Sequence, residues 1–419
     1  MRIAFFLLIL LLLQALVYFT FRGYLRTTKL YKPGYEYWAL IPFLLFNIPF
    51  IVINLVWGRH FAPPEWFKQA AMMPFFVWQG ATFFIALWIL IGKLIKYIIK
   101  LPVILLKIIK PIREKIKSLY NKKPVQTVDL TRRKFVRYST MAFSAYAFGG
   151  SAYGVFKHDS YELSKKDIMI DNLPPSLKGL TITLLSDIHS GSYMDERDMR
   201  KYSEIVNELK SDIICIPGDF VNFQREDVHP LTQSFRDLNA KHGIYGTLGN
   251  HDFFQDGDYV GKAINNESPV QLLRNQHRKI NVNGTDLFIL GVDDTVTSGN
   301  AQNAVVMDYI VRMNEYLLIN EPTYKDAPKI LLCHKPYPFD EIAALNIFDL
   351  TLSGHTHGGQ VVPFKFGNFN MSFAATVSKY IEGHYKTGKS NMYVSRGIGT
   401  VGLPIRINCP PEVTQITLV

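Results

Sequence analysis

The chain has few cysteines, and its first third has few acidic residues. Three cysteines occur in 419 residues, and this odd number argues against a disulfide framework. Free cysteines tend to be buried, so we expect Cys215, Cys333 and Cys409 to be buried thiols. No internal repeat and no low-complexity tract is present, which argues against a repeat protein.

The scarcity of acidic residues is confined to residues 1–137, which hold 21 Lys and Arg but only 4 Asp and Glu. Residues 138–419 hold 25 basic and 31 acidic residues, a net charge of −6. The positive charge lies beside long apolar runs, where anionic lipid headgroups are the expected partner. The negative second part disfavours a groove that follows nucleic-acid phosphates, so we expect no nucleic-acid partner.

Long apolar runs fill the first third of the chain, at 3–20, 38–57 and 74–91. Each approaches the roughly 20 residues that cross a bilayer core. Lysines at helical spacing follow the third run, so we predict that residues 1–110 form three spans and a basic helix in the membrane interface. A third span that overruns, with its lysines extended to the headgroups, explains the same pattern. Pro102 is expected to bend or break this helix.

A basic linker at 111–137 contains Arg132 and Arg133 and precedes an uncharged segment at 138–156 that is long enough to cross a membrane. Twin arginines before a mildly apolar stretch resemble a twin-arginine export signal, although such signals normally stand at an N-terminus. The alternative is a fourth span after ordinary cytoplasmic positive charge. Both interpretations place the linker in the cytoplasm and residues 157–419 outside it.

Short β-rich apolar runs alternate with segments of helical spacing from residue 179 onward. The predicted strands are 180–185, 212–216, 243–248, 287–292, 330–333, 349–352 and 392–394. The predicted helices are 195–210, 258–274, 303–317 and 338–345. This alternation predicts an α/β domain, in which ligand sites lie at the C-terminal ends of the strands.

Five short motifs follow the predicted strands. They are Ser186-Asp187-Ile188-His189, Gly218-Asp219, Gly249-Asn250-His251-Asp252, Cys333-His334-Lys335-Pro336 and Gly354-His355-Thr356-His357-Gly358. They supply the hard oxygen and imidazole ligands that divalent ions need when they activate water at a phosphate. A carboxylate has two oxygens, so Asp219 is able to bridge two ions. The motifs therefore predict a two-metal site.

In order and spacing, these motifs resemble the calcineurin-like metallophosphoesterase superfamily over residues 179–419. The resemblance implies a four-layer α/β/β/α sandwich, preceded here by the helical transmembrane region, with a dinuclear site between the sheets. It also implies the ligands of both ions, with Mn, Fe, Zn and Mg all open. The implied ligands are Asp187, His189, Asp219 and His357 for the first metal, and Asp219, Asn250, His334 and His355 for the second. His251 is the implied proton donor.

The segments 396–399 and 403–406 resemble one bacterial branch, whose members are membrane-bound or exported by the twin-arginine route. Those members are similar to lipid-headgroup and UDP-diacylglucosamine phosphodiesterases. The resemblance implies a phosphodiesterase or pyrophosphatase of a bacterial cytoplasmic membrane, acting through metal-activated water on a lipid-linked or nucleotide-linked headgroup. The expected partners are the lipid bilayer and a phosphoester substrate.

Lys335 and Arg406 are candidate phosphate contacts, and the aromatic residues of 364–385 are a candidate apolar rim for acyl chains. About half of these aromatic residues are expected in the core instead, because aromatic side chains dominate cores. Two other functions remain open from the residues alone. One is an extracytoplasmic phosphomonoesterase or nucleotidase, and the other is a membrane scaffold without catalytic activity.

Overall fold

A computed structural model describes most of the chain. The described residues are 2–29, 31–52, 65–106, 108–120, 123–157, 160–191, 193–294, 300–367 and 369–419. The chain divides into two compact units, one of Met1–Gly58 with Pro63–Phe156 and the other of Arg59–Ala62 with Lys157–Val419. Each unit is described by itself.

The first unit is helical in its described residues. Its helices are α1 (Arg2–Leu25), α2 (Tyr35–Val52), α3 (Glu65–Phe67), α4 (Met73–Leu106), α5 (Lys110–Tyr120) and α6 (Lys123–Phe156). Among the residues that the structure describes, Leu8–Leu25 is the one helical segment whose length and composition suffice to cross a membrane. The other predicted spans stay predictions, and residues 53–57 of the second lie outside the described residues.

Two helices of the first unit are longer than predicted. Helix α4 continues through Pro102 to Leu106, so the third predicted span and the basic segment as far as Leu106 form one helix. An internal proline removes one backbone hydrogen bond, and here it stands only four residues before the helix ends. Helix α6 likewise joins the end of the predicted linker to the uncharged segment 138–156.

Three amide side chains connect helices inside the first unit. Gln14 Nε2 on α1 donates to Gln79 Oε1 on α4 at 2.6 Å, and Asn47 Nδ2 on α2 donates to Gln14 Oε1. All three residues are buried. An unpaired buried amide is costly, so amides that satisfy one another hold neighbouring helices in one register.

The second unit contains two six-stranded sheets. Its strands are β1 (Glu162–Ile168), β2 (Thr181–Leu184), β3 (Ile213–Ile216), β4 (Ile244–Gly246), β5 (Gln271–Leu272), β6 (Gln276–Val282), β7 (Thr285–Val292), β8 (Lys329–Cys333), β9 (Leu350–Ser353), β10 (Phe364–Phe366), β11 (Phe369–Met371), β12 (Gly383–Thr387), β13 (Ser390–Val394) and β14 (Glu412–Leu418). The first sheet has the order β1-β14-β2-β3-β4-β5 and the second β12-β13-β9-β8-β7-β6. Strands β2 to β5 are parallel, as are β7, β8, β9 and β13.

The two sheets pack face to face and helices cover both outer faces. Leu184 and Cys215 of the first sheet share a core with Leu332 and Leu352 of the second. The helices packed on the first sheet are α7 (Glu196–Glu208), α8 (Val228–Ser234) and α9 (Gly257–Glu267). The helices packed on the second sheet are α10 (Asn300–Asn320) and α11 (Phe339–Ala344). The predicted α/β/β/α sandwich is therefore confirmed.

All seven predicted strands of this unit are present, with small shifts at their ends. The helix predicted over 258–274 is wrong at its C-terminal end, because α9 stops at Glu267 and Gln271–Leu272 forms β5. Ser268 is extended there, as expected for a residue that precedes a proline. Besides β5, the strands β1, β6, β10, β11, β12 and β14 were not predicted.

Candidate metal centre

The five motifs converge at one edge of the sandwich, on loops that leave the C-terminal ends of parallel strands. Asp187 and His189 follow β2, Asp219 follows β3, Asn250 and His251 follow β4, His334 follows β8, and His355 and His357 follow β9. Parallel strands bring their C-terminal ends to the same edge, so loops distant in sequence meet there. The structure thus brings the residues of the predicted site together.

Three overlapping groups of side chains have ligand atoms within 4.8 Å of one another. The groups are Asp187 with His189 and His357, His189 with Asp219 and His251, and Asp219 with His334 and His355. The first and third groups contain members of the two ligand sets that the resemblance implies. Asp219 joins the third group to the second, so one carboxylate stands between the two candidate metal positions.

The Asp219 carboxylate is held from several directions. Its Oδ2 lies 3.1 Å from His334 Nε2 and 3.5 Å from His189 Nε2. Its Oδ1 accepts a hydrogen bond from the backbone N–H of His251 at 2.8 Å. The residue is 1% exposed. A buried carboxylate surrounded by donors and imidazoles is well placed to bridge two cations.

Asp187 is the second buried carboxylate. Its Oδ1 accepts from the backbone N–H of His355 at 2.8 Å and lies 3.5 Å from His357 Nε2. Ser186 Oγ donates to its Oδ2 at 2.7 Å. His357 Nε2 also lies 3.0 Å from His189 Nε2, and two imidazole nitrogens this close must share either a proton or a cation.

The backbone of the ligand residues is unusual. Five of them have a positive φ between 50° and 71°. They are Asp187, His189, Asp219, His355 and His357. A left-handed conformation in a residue other than glycine costs about 1–3 kcal/mol, and it persists where the surroundings determine it. These loops are therefore shaped by the site and not by local propensity.

Glycines of the motifs let neighbouring loops approach the carboxylates. A Cβ atom on Gly354 would lie 2.1 Å from Asp187 Oδ2, and one on Gly249 would lie 2.2 Å from Asp219 Oδ1. No side chain fits at such distances. The glycines of the motifs are therefore needed for close packing around the site.

Burial and charge set the protonation of the ligands. Burial raises the pKa of Asp187 to about 6. Burial also acts to raise the pKa of Asp219, but the charge of His334 and its neighbours outweighs it and holds that pKa well below its usual value. Burial lowers the pKa of His334, and the negative charge of Asp219 reverses this and raises it to about 10. The negative charge at the site attracts a cation, whether a proton or a metal.

Three other imidazoles are neutral. Burial holds the pKa of His189, His355 and His357 well below the usual histidine value. Neutral imidazole is the form that binds metals, so these rings are ready to act as ligands.

Two buried polar atoms at the site are Asn250 Oδ1 and His189 Nδ1. Neither has a hydrogen-bond partner in the part of the chain that the structure describes. Native proteins rarely leave buried polar atoms unpaired, and an ion is one explanation for such an atom. Asn250 Oδ1 is a hard neutral ligand of the kind divalent metals accept. The residues present therefore fit a pair of divalent cations.

His251 lies at the rim of this centre. Its Nδ1 is 2.5 Å from the carbonyl oxygen of Asn222, and a carbonyl only accepts, so Nδ1 carries the hydrogen. Its ring contacts His189 and Phe254, with centroids 4.5 and 4.3 Å away. The fixed Nδ1–H leaves Nε2 available for proton transfer, which is the geometry that a proton donor needs.

Asp252 ties two of the loops together. Its Oδ1 accepts from the backbone N–H of Val221 at 3.0 Å and its Oδ2 from that of Gly249 at 2.8 Å. These contacts favour a role in orienting the loops that carry Asp219 and His251.

The two candidate phosphate contacts have partners within the protein. Lys335 Nζ lies 3.2 Å from Asp294 Oδ2 and the side chain is buried. Arg406 is 2% exposed, and its guanidinium donates to the backbone carbonyls of Arg396, Gly397 and Gly399. The backbone N–H of Gly399 in turn donates to Asp187 O at 2.8 Å. Arg406 thus supports the loop beneath Asp187, and the predicted phosphate contacts stay predictions.

Comparison with known proteins identifies the family. The model of the calcineurin-like phosphoesterases matches residues 180–359. The metallophosphoesterase YkuE of Bacillus subtilis is 30% identical over 301 residues, which are 69% of this chain and 98% of YkuE. The chain belongs to the calcineurin-like metallophosphoesterase family. It is therefore a metal-dependent phosphoester hydrolase by family.

This metallophosphoesterase is also similar to a bovine transmembrane protein with metallophosphoesterase domain, at 28% identity over 260 residues. The match covers 60% of this chain and 56% of the bovine protein's length. Among solved structures, TT1561 of Thermus thermophilus is 13% identical, with a TM-score of 0.37, over 52% of this chain and 90% of TT1561.

We predict that Asp219→Asn removes both metal ions. The amide keeps an oxygen for the His251 N–H but loses the charge that two cations would share. Metal affinity should fall more than about 100-fold, beyond the 10–100-fold typical of residues outside the ligand shell. Metal content per chain, measured by mass spectrometry after dialysis, checks this.

Asp258→Asn is the matched control for this substitution, because Asp258 is an exposed partner of Arg274 and belongs to none of the ligand groups. It should keep the metal content of the unmodified protein. Two ions per chain in purified Asp219→Asn protein would rule out a shared carboxylate.

Proposed function

We propose that this protein is a membrane-anchored dinuclear phosphoesterase that hydrolyses a phosphodiester or pyrophosphate bond in a lipid-linked or nucleotide-linked headgroup. The observation that carries the dinuclear part is the position of Asp219, whose carboxylate lies within ligand distance of imidazoles from both sheets. One metal would use Asp187, His189, Asp219 and His357. The other would use Asp219, Asn250, His334 and His355.

When bound, a pair of divalent ions would lower the pKa of a water between them and neutralise charge on the phosphate. The remaining steps fall to the chain itself. His251 is held by Asn222 O with its Nε2 free, so it donates a proton to the departing oxygen. Arg406 donates a hydrogen bond to the carbonyl oxygen of Gly399, and the N–H of Gly399 donates to the carbonyl oxygen of Asp187. These two contacts keep Asp187 in place.

The substrate class rests on the relation of the chain to a membrane. Segment Leu8–Leu25 is able to cross a bilayer by length and composition. The bovine relative is named as a transmembrane protein with the same domain. An enzyme fixed to a bilayer meets lipid-linked phosphoesters at a high effective concentration, so we infer that its substrate is carried by the membrane.

The phosphodiesterase assignment predicts faster hydrolysis of bis-p-nitrophenyl phosphate than of p-nitrophenyl phosphate, with Mn²⁺ added. A phosphodiester has one negative charge fewer on its phosphate group than a monoester. The active site must also accommodate the second ester group of the diester, which is not cleaved. Initial rates of the full-length protein with both substrates check the preference. A clear preference for the monoester would favour the phosphomonoesterase alternative, and no turnover with full metal content would favour the scaffold.

We expect His251→Ala to lose about 10²–10⁴-fold in kcat on a diester with a poor leaving group. An alkoxide needs the proton that His251 supplies, whereas p-nitrophenolate leaves without it. The variant should keep its metals and most of its activity on the p-nitrophenyl diester. Equal losses on both substrates would contradict the role of proton donor, since they would point to damage of the metal centre.

The proposed topology places residues 157–419 outside the bacterial cytoplasm, because the positive charge of 93–137 favours the cytoplasmic side. The three native cysteines are buried, so Ser160→Cys provides one accessible thiol. A membrane-impermeant maleimide should label it in intact cells or spheroplasts. The control is Lys134→Cys, in the basic segment. Its thiol should react with the maleimide only after the cells are lysed. The reverse pattern would refute this orientation.

A further inference from the structure

A small hairpin near the metal centre has an apolar face open to solvent. Strands β10 and β11 pair with Phe364 opposite Met371 and Phe366 opposite Phe369. Side chains paired directly across two antiparallel strands lie on the same face, so these four residues share one face, here named the apolar ribbon face. They are 53–78% exposed, and exposed apolar clusters of this kind typically mark contact sites.

The opposite face of the hairpin is polar and contacts the catalytic domain. Lys365 forms an ion pair with Glu382, and Asn370 Nδ2 donates to the carbonyl oxygen of Gly358 at 3.2 Å. In most antiparallel sheets the apolar face covers the core and the polar face meets water. Here the arrangement is reversed, so the apolar face is left for something outside the domain.

The base of the hairpin is packed against the loop that carries a metal ligand. Gly358 and Gly359 directly follow His357, and Gly359 has a φ of +87°. A Cβ atom on Gly359 would lie 2.3 Å from Ser372 Oγ, so the two segments are in close contact. The hairpin is therefore attached directly to the loop that carries His357.

We propose that the apolar ribbon face inserts into the lipid bilayer to which the chain is anchored and holds the metal centre at the membrane surface. Phe373 and Val377, 83% and 58% exposed, extend the same apolar stretch of chain. Apolar side chains at an interface lie about 5–10 Å deep, at the boundary of headgroups and acyl chains. The bilayer is favoured as the occupant because the same chain carries a membrane-compatible helix, which keeps lipid at high local concentration.

This docking deepens the proposed function and rests on it for the membrane anchor and for the identity of the substrate. A phosphoester on a lipid has its phosphorus at the level of the headgroups. Insertion of the ribbon at that level would present the phosphorus to the metals without lifting the lipid out of the bilayer. A water-soluble phosphoester gains nothing from the same contact.

The first test measures insertion directly, with the full-length protein in lipid nanodiscs. Phe366→Cys is labelled with an environment-sensitive fluorophore, which is site-specific because Cys215, Cys333 and Cys409 are buried. Lipids that carry a quencher near the headgroup should quench this label and shift its emission to the blue. The matched control is Ile319→Cys on α10, which is 83% exposed and should be quenched little.

The second test measures what insertion does for catalysis. The double variant Phe366→Ser with Phe369→Ser should lower turnover of a lipid phosphodiester in nanodiscs at least about tenfold, the factor that about 1.4 kcal/mol of lost apolar burial produces. Its turnover of bis-p-nitrophenyl phosphate should be unchanged. Ile319→Ser should change neither rate.

The outcomes separate the docking from the function. Equal quenching at both labels, or none at residue 366, would overturn the docking, as would equal loss of both activities in the double variant. Quenching by a second labelled chain, without quenching by lipid, would assign the face to self-association instead. If the unmodified protein hydrolyses no phosphoester while residue 366 is still quenched, the proposed function fails and the docking stands.

Discussion

The catalytic unit depends on burying two carboxylates at one edge of its sandwich. Burial alone raises the pKa of a carboxyl group, and it raises that of Asp187 to about 6. Asp219 stays ionised because the positive charge of His334 outweighs its burial. A divalent cation bound by these groups would supply the positive charge that the proton on His334 otherwise provides. Metal binding and the stability of this edge are therefore linked, since the ligands are costly to bury without a cation.

Bringing these groups together imposes the local geometry. Loops from both sheets must meet within a few ångströms, which leaves no space for a Cβ atom on Gly249 or Gly354. The same close approach of the loops gives Asp219 and other ligand residues a left-handed backbone conformation. Buried supports such as Asp252 and Arg406 then hold the loops by hydrogen bonds to backbone atoms. The burial of these two polar side chains thus serves the site.

The fold class and the convergence of the motifs at one edge were predictable from sequence, and the supports of the site were not. Asp187 and His189 belong to a short local motif after an apolar run, which a sequence displays directly. The orientation of His251 depends on the carbonyl oxygen of Asn222, and a carbonyl acceptor has no sequence signature. The course of α4 through Pro102 shows the same limit, because the sequence around the proline predicts a bend or a break there.

In the β10–β11 hairpin, the sequence indicates an apolar surface but does not indicate whether that surface faces the core or the solvent. The aromatic residues of 364–385 predict an apolar rim, and only the exposure of β10 and β11 and the contacts of Lys365 and Asn370 show that their apolar side faces outward. Residues 138–419 carry a net charge of −6, so anionic headgroups repel the unit that carries the hairpin. Electrostatic attraction therefore cannot hold the metal centre at such a surface. Under the proposed docking, apolar contact would hold the metal centre at the membrane surface, assisted by the covalent link to the basic first unit.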